Sequence, residues 1–183
     1  MDIYDIYELM IIPPNKKGEM IVSEIKKRDK ANLNLVRDLI TLGANLDWQD
    51  DYGLTALHWC TRSNQPEIAR MLIDAGADLN IQRNDGMSVL HWSILHYNTW
   101  NSNPNTWNRI YPEIPMMLIE AEADVNIQDG GGWTALHMCA FFHFPDIVRM
   151  LINAGADKTI QDNKGRFPHE LAESKELQEL LKV

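Results

Sequence analysis

Asp51-Tyr52-Gly53-Leu54-Thr55-Ala56-Leu57-His58 decides the fold, because the chain writes it twice more, as Asp85-Gly86-Met87-Ser88-Val89-Leu90-His91 and Gly131-Gly132-Trp133-Thr134-Ala135-Leu136-His137. Each copy leads to an ending that closes on Ile-Gln: Ala75 to Gln82, Ala121 to Gln128 and Ala154 to Gln161. Landmarks that recur in register mark a stacked-repeat protein, in which a unit cannot bury its apolar face alone and packs it against its neighbours.

The pattern resembles the ankyrin repeat, whose signature is Gly-x-Thr-Pro-Leu-His near the start and Gly-Ala-Asp-x-Asn near the end, with a period of about 33 residues. Residues 50–82 and 129–161 have that length, whereas residues 83–128 carry an insertion of 13 near residues 97–111. Upstream, Leu39 to Asp47 keeps the second half of a further unit, and downstream Gly165-Arg166-Phe167-Pro168 begins another. The resemblance implies an all-α repeat solenoid of about five stacked units. An extension (1–17) precedes a degenerate cap (18–49), three full repeats and a C-terminal cap (162–183). Residues 2–12 read either as a short helix ended by Pro13-Pro14 or as a free arm.

Within each repeat the pattern predicts a turn, a short helix, a longer helix and a loop. Thr55, Ser88 and Thr134 stand where a side-chain oxygen can accept from an unpaired N–H of the first turn. The resemblance gives the following His58, His91 and His137 the task of tying neighbouring turns together. Gly76 and Gly155 stand where the second helix ends in a left-handed residue, and Glu122 occupies that place in the third unit. Leu57, Ile68, Leu72, Leu90, Ile114, Leu118, Leu136, Ile147 and Leu151 are the expected core.

Composition narrows the function. The formal charge is −9. Residues 15–37 hold seven basic and three acidic side chains, a local +4, so the remainder carries −13. Such a surface repels phosphate backbones and favours basic partners. No apolar run approaches the ~20 residues that span a bilayer, and Met1-Asp2-Ile3-Tyr4-Asp5 is acidic where a secretory signal is basic. A cytoplasmic location is expected. Cys60 and Cys139 lie two repeats apart, beyond the ~7 Å disulfide limit when helices stack ~8–10 Å apart, so both are expected as buried thiols.

Catalytic and metal chemistry find little support. Histidines one repeat apart cannot share a zinc ion at ~2.0–2.1 Å. His96 and His143 end successive first helices and form the alternative reading of an enzyme or metal site. Gly130-Gly131-Gly132 is followed by no Lys-Ser/Thr, so it reads as a turn tip whose glycines allow positive φ rather than a phosphate loop. Asn80 and Asn126 occupy a position that the resemblance links to asparaginyl hydroxylation, or else bond across the turn.

Binding is the better reading. The resemblance places a partner on the concave face of turn tips and first helices, here Asp51, Tyr52, Leu54, Arg62, Asn84, Asp85, Met87, Trp133, Phe141 and Phe142. Trp100 and Trp107, in the insertion, either fold back on the repeats or finish their packing on the partner. The expected function is a non-enzymatic, cofactor-free module, monomeric when unbound, that binds a protein with a basic surface. Dedicated inhibitor, toxin-neutralising immunity protein and effector acting on a host protein are finer versions. A self-associating scaffold is a further alternative.

Overall fold

The computed structural model describes residues 3–101 and 113–182 and divides into two compact units, Met1–Ile81 and Gln82–Val183. The described residues form eleven α-helices, one 3₁₀ turn and an isolated antiparallel bridge between Gln82 and Ser88.

In the N-terminal unit, α1 (Ile3–Ile11) and α2 (Pro14–Lys26) precede a 3₁₀ turn at Arg28–Lys30, then α3 (Leu33–Thr41), α4 (Ala56–Ser63) and α5 (Pro66–Asp74). The first twelve residues therefore do hold a helix. It ends before Pro13, and Leu9 is buried beneath it. The next helix begins at Pro14, inside the stretch read as an extension. Proline is well placed there, since a first-turn N–H has no helical partner to lose. First helices α2 and α4 pack together, and so do second helices α3 and α5, which gives two rows.

The C-terminal unit repeats this plan. Its first row is α6 (Val89–Asn101), α8 (Ala135–Phe142) and α10 (Pro168–Leu171); its second is α7 (Glu113–Glu120), α9 (Pro145–Asn153) and α11 (Lys175–Leu181). The start of the insertion is helical. Helix α6 runs through Tyr97 to Asn101, a stretch with no proline or glycine to break it.

All nine residues expected in the core are at most 5 % exposed. Cys60 and Cys139 are free and fully buried, and burial pushes both thiols well above the ordinary cysteine range, so they pack as small apolar groups.

The second helices of the repeats all stop in the same way. The Ala77 N–H donates to the Leu72 carbonyl at 3.1 Å and Gly76 N–H to Ile73 at 2.9 Å, a Schellman closure. Ala44/Gly43, Ala123/Glu122 and Ala156/Gly155 reproduce it. It requires a left-handed residue, and φ is +76° at Gly43, +83° at Gly76 and +85° at Gly155. Glu122 adopts +61° without a glycine's freedom. Glu122→Gly is expected to stabilise by about 1 kcal/mol, raising Tm by roughly 2–4 °C. A lower melting temperature by calorimetry would contradict this.

Candidate functional site: the turn-tip surface

Each turn is built by one carboxylate. Asp50 Oδ1 accepts from the N–H groups of Tyr52 and Leu54, Asp129 Oδ1 from Gly131 and Trp133, and Asp162 Oδ1 from Lys164 and Arg166, at 2.8–3.0 Å. Burial alone would raise the Asp162 pKa. The Arg166 and Lys164 N–H groups and the Arg166 guanidinium outweigh that and hold it far below the usual carboxylate range. Gln82 and Gln128, which close two of the repeats, each span two turns. Gln128 Nε2 donates to Gly132 O at 2.9 Å and to Gln161 O at 3.0 Å.

Histidines complete the lattice. Backbone carbonyls only accept, so His91 Nε2, 2.9 Å from Trp133 O, and His137 Nε2, 3.1 Å from Arg166 O, must carry their protons. Each Nδ1 is then a free acceptor facing the N–H and hydroxyl of the helix cap: Ser88 for His91 and Thr134 for His137. His58 Nδ1 stands in the same way to Thr55. The capping residues and the turn-tying histidines thus act as one device, which fixes how far apart successive turns sit within a unit.

Burial lowers the pKa of His91 and of His137 below the ordinary value, more than their carbonyl partners and nearby aspartates raise it. The unfolded chain binds protons near pH 6.5 that the folded chain refuses, so stability rises with pH through that window. The histidine contribution is whole above about pH 6.5 and is lost as pH falls further. Urea midpoints are expected to drop from pH 7.5 to pH 5. Carboxylates of the unfolded chain, at about 3.9–4.3, are still mostly ionised at pH 5. Equal midpoints at the two pH values would contradict the expected drop.

The third repeat breaks the turn rule, since Arg83 stands where its neighbours have aspartate. Asp85 takes over, accepting from Met87 N–H at 3.2 Å and pairing with Arg83 Nε at 2.9 Å. The Arg83 guanidinium lies over the Trp92 ring at 4.3 Å. In the second repeat the corresponding Trp59 donates its indole N–H to Asp50 Oδ2 at 2.9 Å. With no carboxylate there, the buried Trp92 Nε1 has no hydrogen-bond partner among the described residues. Arg62, one of the expected contact residues, lies over Trp59 at 5.0 Å, as does Lys26 at 4.1 Å.

The expected contact residues separate by exposure. In the N-terminal unit Asp51, Tyr52 and Arg62 are exposed, Tyr52 at 69 %. Leu54 is a correction: at 3 % exposure it belongs to the core, because the Asp50 carboxylate and the bond from Asp50 N–H to Leu54 O draw it inward. In the C-terminal unit Asn84 and Asp85 are exposed, while Met87, Trp133 and Phe142 are half-buried. Phe141 is 53 % exposed.

Trp133, Phe141, Phe142 and Phe144 form a ladder with ring centroids 5.4, 5.2 and 6.1 Å apart, the first two steps edge to face. Its lower end, Phe144, is buried and its upper end meets solvent. Trp100, at the end of α6, and Trp107 fall outside the residues whose side chains are described.

His96 packs edge-on against Trp92 at 4.5 Å, and His143 lies 3.4 Å from Glu173 with its Nδ1 on Ala140 O. Among the described residues no group of three or more His, Cys, Asp or Glu is gathered as a metal site would need. Asn126 bonds to the next repeat rather than across its own turn, its Oδ1 accepting from Asp157 N–H at 2.7 Å.

Family models for ankyrin repeats match residues 24–102, in the three-copy form, and residues 115–152, in the many-copy form. The chain belongs to the ankyrin repeat family. The gap between the matches overlaps the insertion, so it is the standard repeat on either side that is recognised. Among curated proteins none matches the chain. Ankyrin repeats are generally protein–protein interaction modules and are typically non-enzymatic. No helix among the described residues is long and apolar enough to cross a membrane.

Proposed function

We infer that this ankyrin protein acts by binding another protein, with the exposed aromatics of its turn-tip surfaces as anchors. The observation that carries the reading is the Trp133–Phe141–Phe142 ladder, which stays half open to solvent although its base is buried. Aromatic rings held rigid by their neighbours lose little entropy on binding and dominate interface energy when covered. Asn84, Asp85 and Met87 belong to the preceding turn of the same unit, whose Asp85 carbonyl accepts from Gly130 N–H at 3.0 Å. Tyr52, with Asp51 and Arg62, is the corresponding group of the N-terminal unit. A formal charge of −9 favours a partner with a basic surface. An interface of about 800 Å² on each partner is the size expected of a stable complex.

Affinity capture with wild-type protein and with the Tyr52→Ala/Phe141→Ala variant tests this. Both side chains are exposed, so the variant keeps its fold, which thermal unfolding checks. A stoichiometric partner lost in the variant supports the reading; one that is retained moves binding off these surfaces.

A further inference from the structure

Two exposed cations converge on the half-buried Trp59 of α4. Lys26 Nζ lies 4.1 Å from the ring centroid and the Arg62 guanidinium 5.0 Å. Lys26 ends α2, which packs against α4, and Arg62 stands three residues beyond Trp59 on the same helix face, all within the N-terminal unit. Neither cation has a carboxylate to itself. Lys26 Nζ comes only to 4.0 Å from Asp50 Oδ2, which already accepts the Trp59 indole N–H, and Asp50 Oδ1 is taken up by the turn. Arg62 forms no ion pair among the described residues. The third repeat holds the neutralised counterpart: Arg83 also lies over its tryptophan, yet it pairs with Asp85.

We propose, resting on the turn-tip reading above, that this cluster receives an acidic segment of the partner protein, with a carboxylate side chain pairing with Lys26 and Arg62. The local charge is opposite to that of the whole chain, since residues 15–37 carry +4 within a total of −9. An acidic segment is therefore complementary here. Stacking on the indole holds both cationic heads in place, so little side-chain freedom is left to lose on binding. Tyr52, exposed in the turn that Asp50 builds, supplies an apolar anchor for a neighbouring residue of the segment. Asp50 and Asp51 of that turn oppose any anion. A nucleic acid duplex, with one charge every ~1.7 Å, needs a longer basic track than two side chains beside two acids.

The test uses the full chain and three labelled probes: a glutamate-rich peptide of roughly ten residues, about 33 Å when extended, with one central leucine; its lysine-for-glutamate counterpart; and a single-stranded RNA of the same length. Fluorescence anisotropy is expected to show salt-sensitive binding of the glutamate peptide. Lys26→Gln/Arg62→Gln should weaken it about tenfold, Tyr52→Ala should weaken it too, and Asp51→Asn should strengthen it. The lysine peptide, drawn to acidic surface elsewhere, should not weaken in Lys26→Gln/Arg62→Gln. Lys164→Gln/Lys175→Gln removes the same charge from exposed positions of the C-terminal unit and should leave the glutamate peptide unaffected. Circular dichroism confirms that each variant is folded. No binding of the glutamate peptide would overturn the proposal. Equal weakening by the two double variants would reduce the effect to net charge and overturn it too, as would RNA bound as tightly as the peptide. Weakening by Tyr52→Ala but not by Lys26→Gln/Arg62→Gln would keep the turn-tip surface as the binding face and overturn only its acidic ligand.

Discussion

Gly18→Ala is expected to destabilise the protein by about 3 kcal/mol, although the same change in the interior of an exposed helix stabilises by roughly 0.5–1 kcal/mol. Gly18 lies in α2 and is buried. A Cβ there would sit 2.3 Å from the carbonyl oxygen of Asn45 and 2.9 Å from Cβ of Trp48. Neither neighbour is the end of a flexible side chain. The Asn45 segment is also tied to the same helix, since its N–H donates to Pro14 O at 2.9 Å and its Nδ2 to Asn15 Oδ1 at 2.8 Å. Lys17 Nζ adds the bond to Leu42 O. The loop cannot retreat without breaking bonds that close α2 onto α3. Urea unfolding of Gly18→Ala beside Glu19→Ala, an exposed neighbour in the same helix, measures the effect. Equal midpoints in the two variants would show that the close approach is absent in solution.

Gly132→Ala is expected to cost a similar amount, about 3 kcal/mol, from left-handed strain of roughly 1–2 kcal/mol and overpacking of a further 1–2 kcal/mol. Its φ is +79°, and a Cβ would lie 2.6 Å from both the backbone nitrogen and Oδ1 of Asn163. The three consecutive glycines differ sharply. Gly130 is needed because a Cβ would meet Asp85 O at 2.7 Å, where the Gly130 N–H donates to that same oxygen at 3.0 Å. Gly131 has Asp129 Oδ1 nearest, at 3.2 Å. Its substitution by alanine should change stability by no more than about 0.5 kcal/mol. The expected order of loss in thermal unfolding is Gly132 first, Gly130 next and Gly131 last. A Gly131→Ala variant as damaged as Gly132→Ala would mean that the turns are not hydrogen-bonded to one another as described.

These two sites also show where sequence reading stops. Repeat landmarks revealed the helix pairs, the caps and even the left-handed Glu122, because those features depend on residues within one turn of each other. The histidines were legible for the same reason, with the family resemblance supplying the bond to the next turn. Positive φ accounts for Gly132, yet Gly130 is fixed by the approach of a turn 45 residues earlier in the chain, Asp85, which no local pattern announces. Gly18 lies in the degenerate cap, and its neighbour Asn45 comes 27 positions later. Leu54 was placed on the surface from its repeat position. Whether a side chain at that position protrudes depends on its size: leucine is enclosed, whereas the indole of Trp133 in the equivalent place is half exposed. The apolar face of α1 was present in the spacing of Tyr7, Met10 and Ile11, but which side of that helix met the repeats was not.

Site-directed photocrosslinking tests protein binding through the turn-tip surface most directly. A benzophenone amino acid is placed at position 52 or 141, or at position 149, where the Arg149 side chain is exposed on the second-row helix α9. In lysate of the source cells, positions 52 and 141 should yield a discrete adduct, and position 149 none. An adduct formed from position 149, with positions 52 and 141 silent, would contradict the assignment of binding to the turn-tip aromatics.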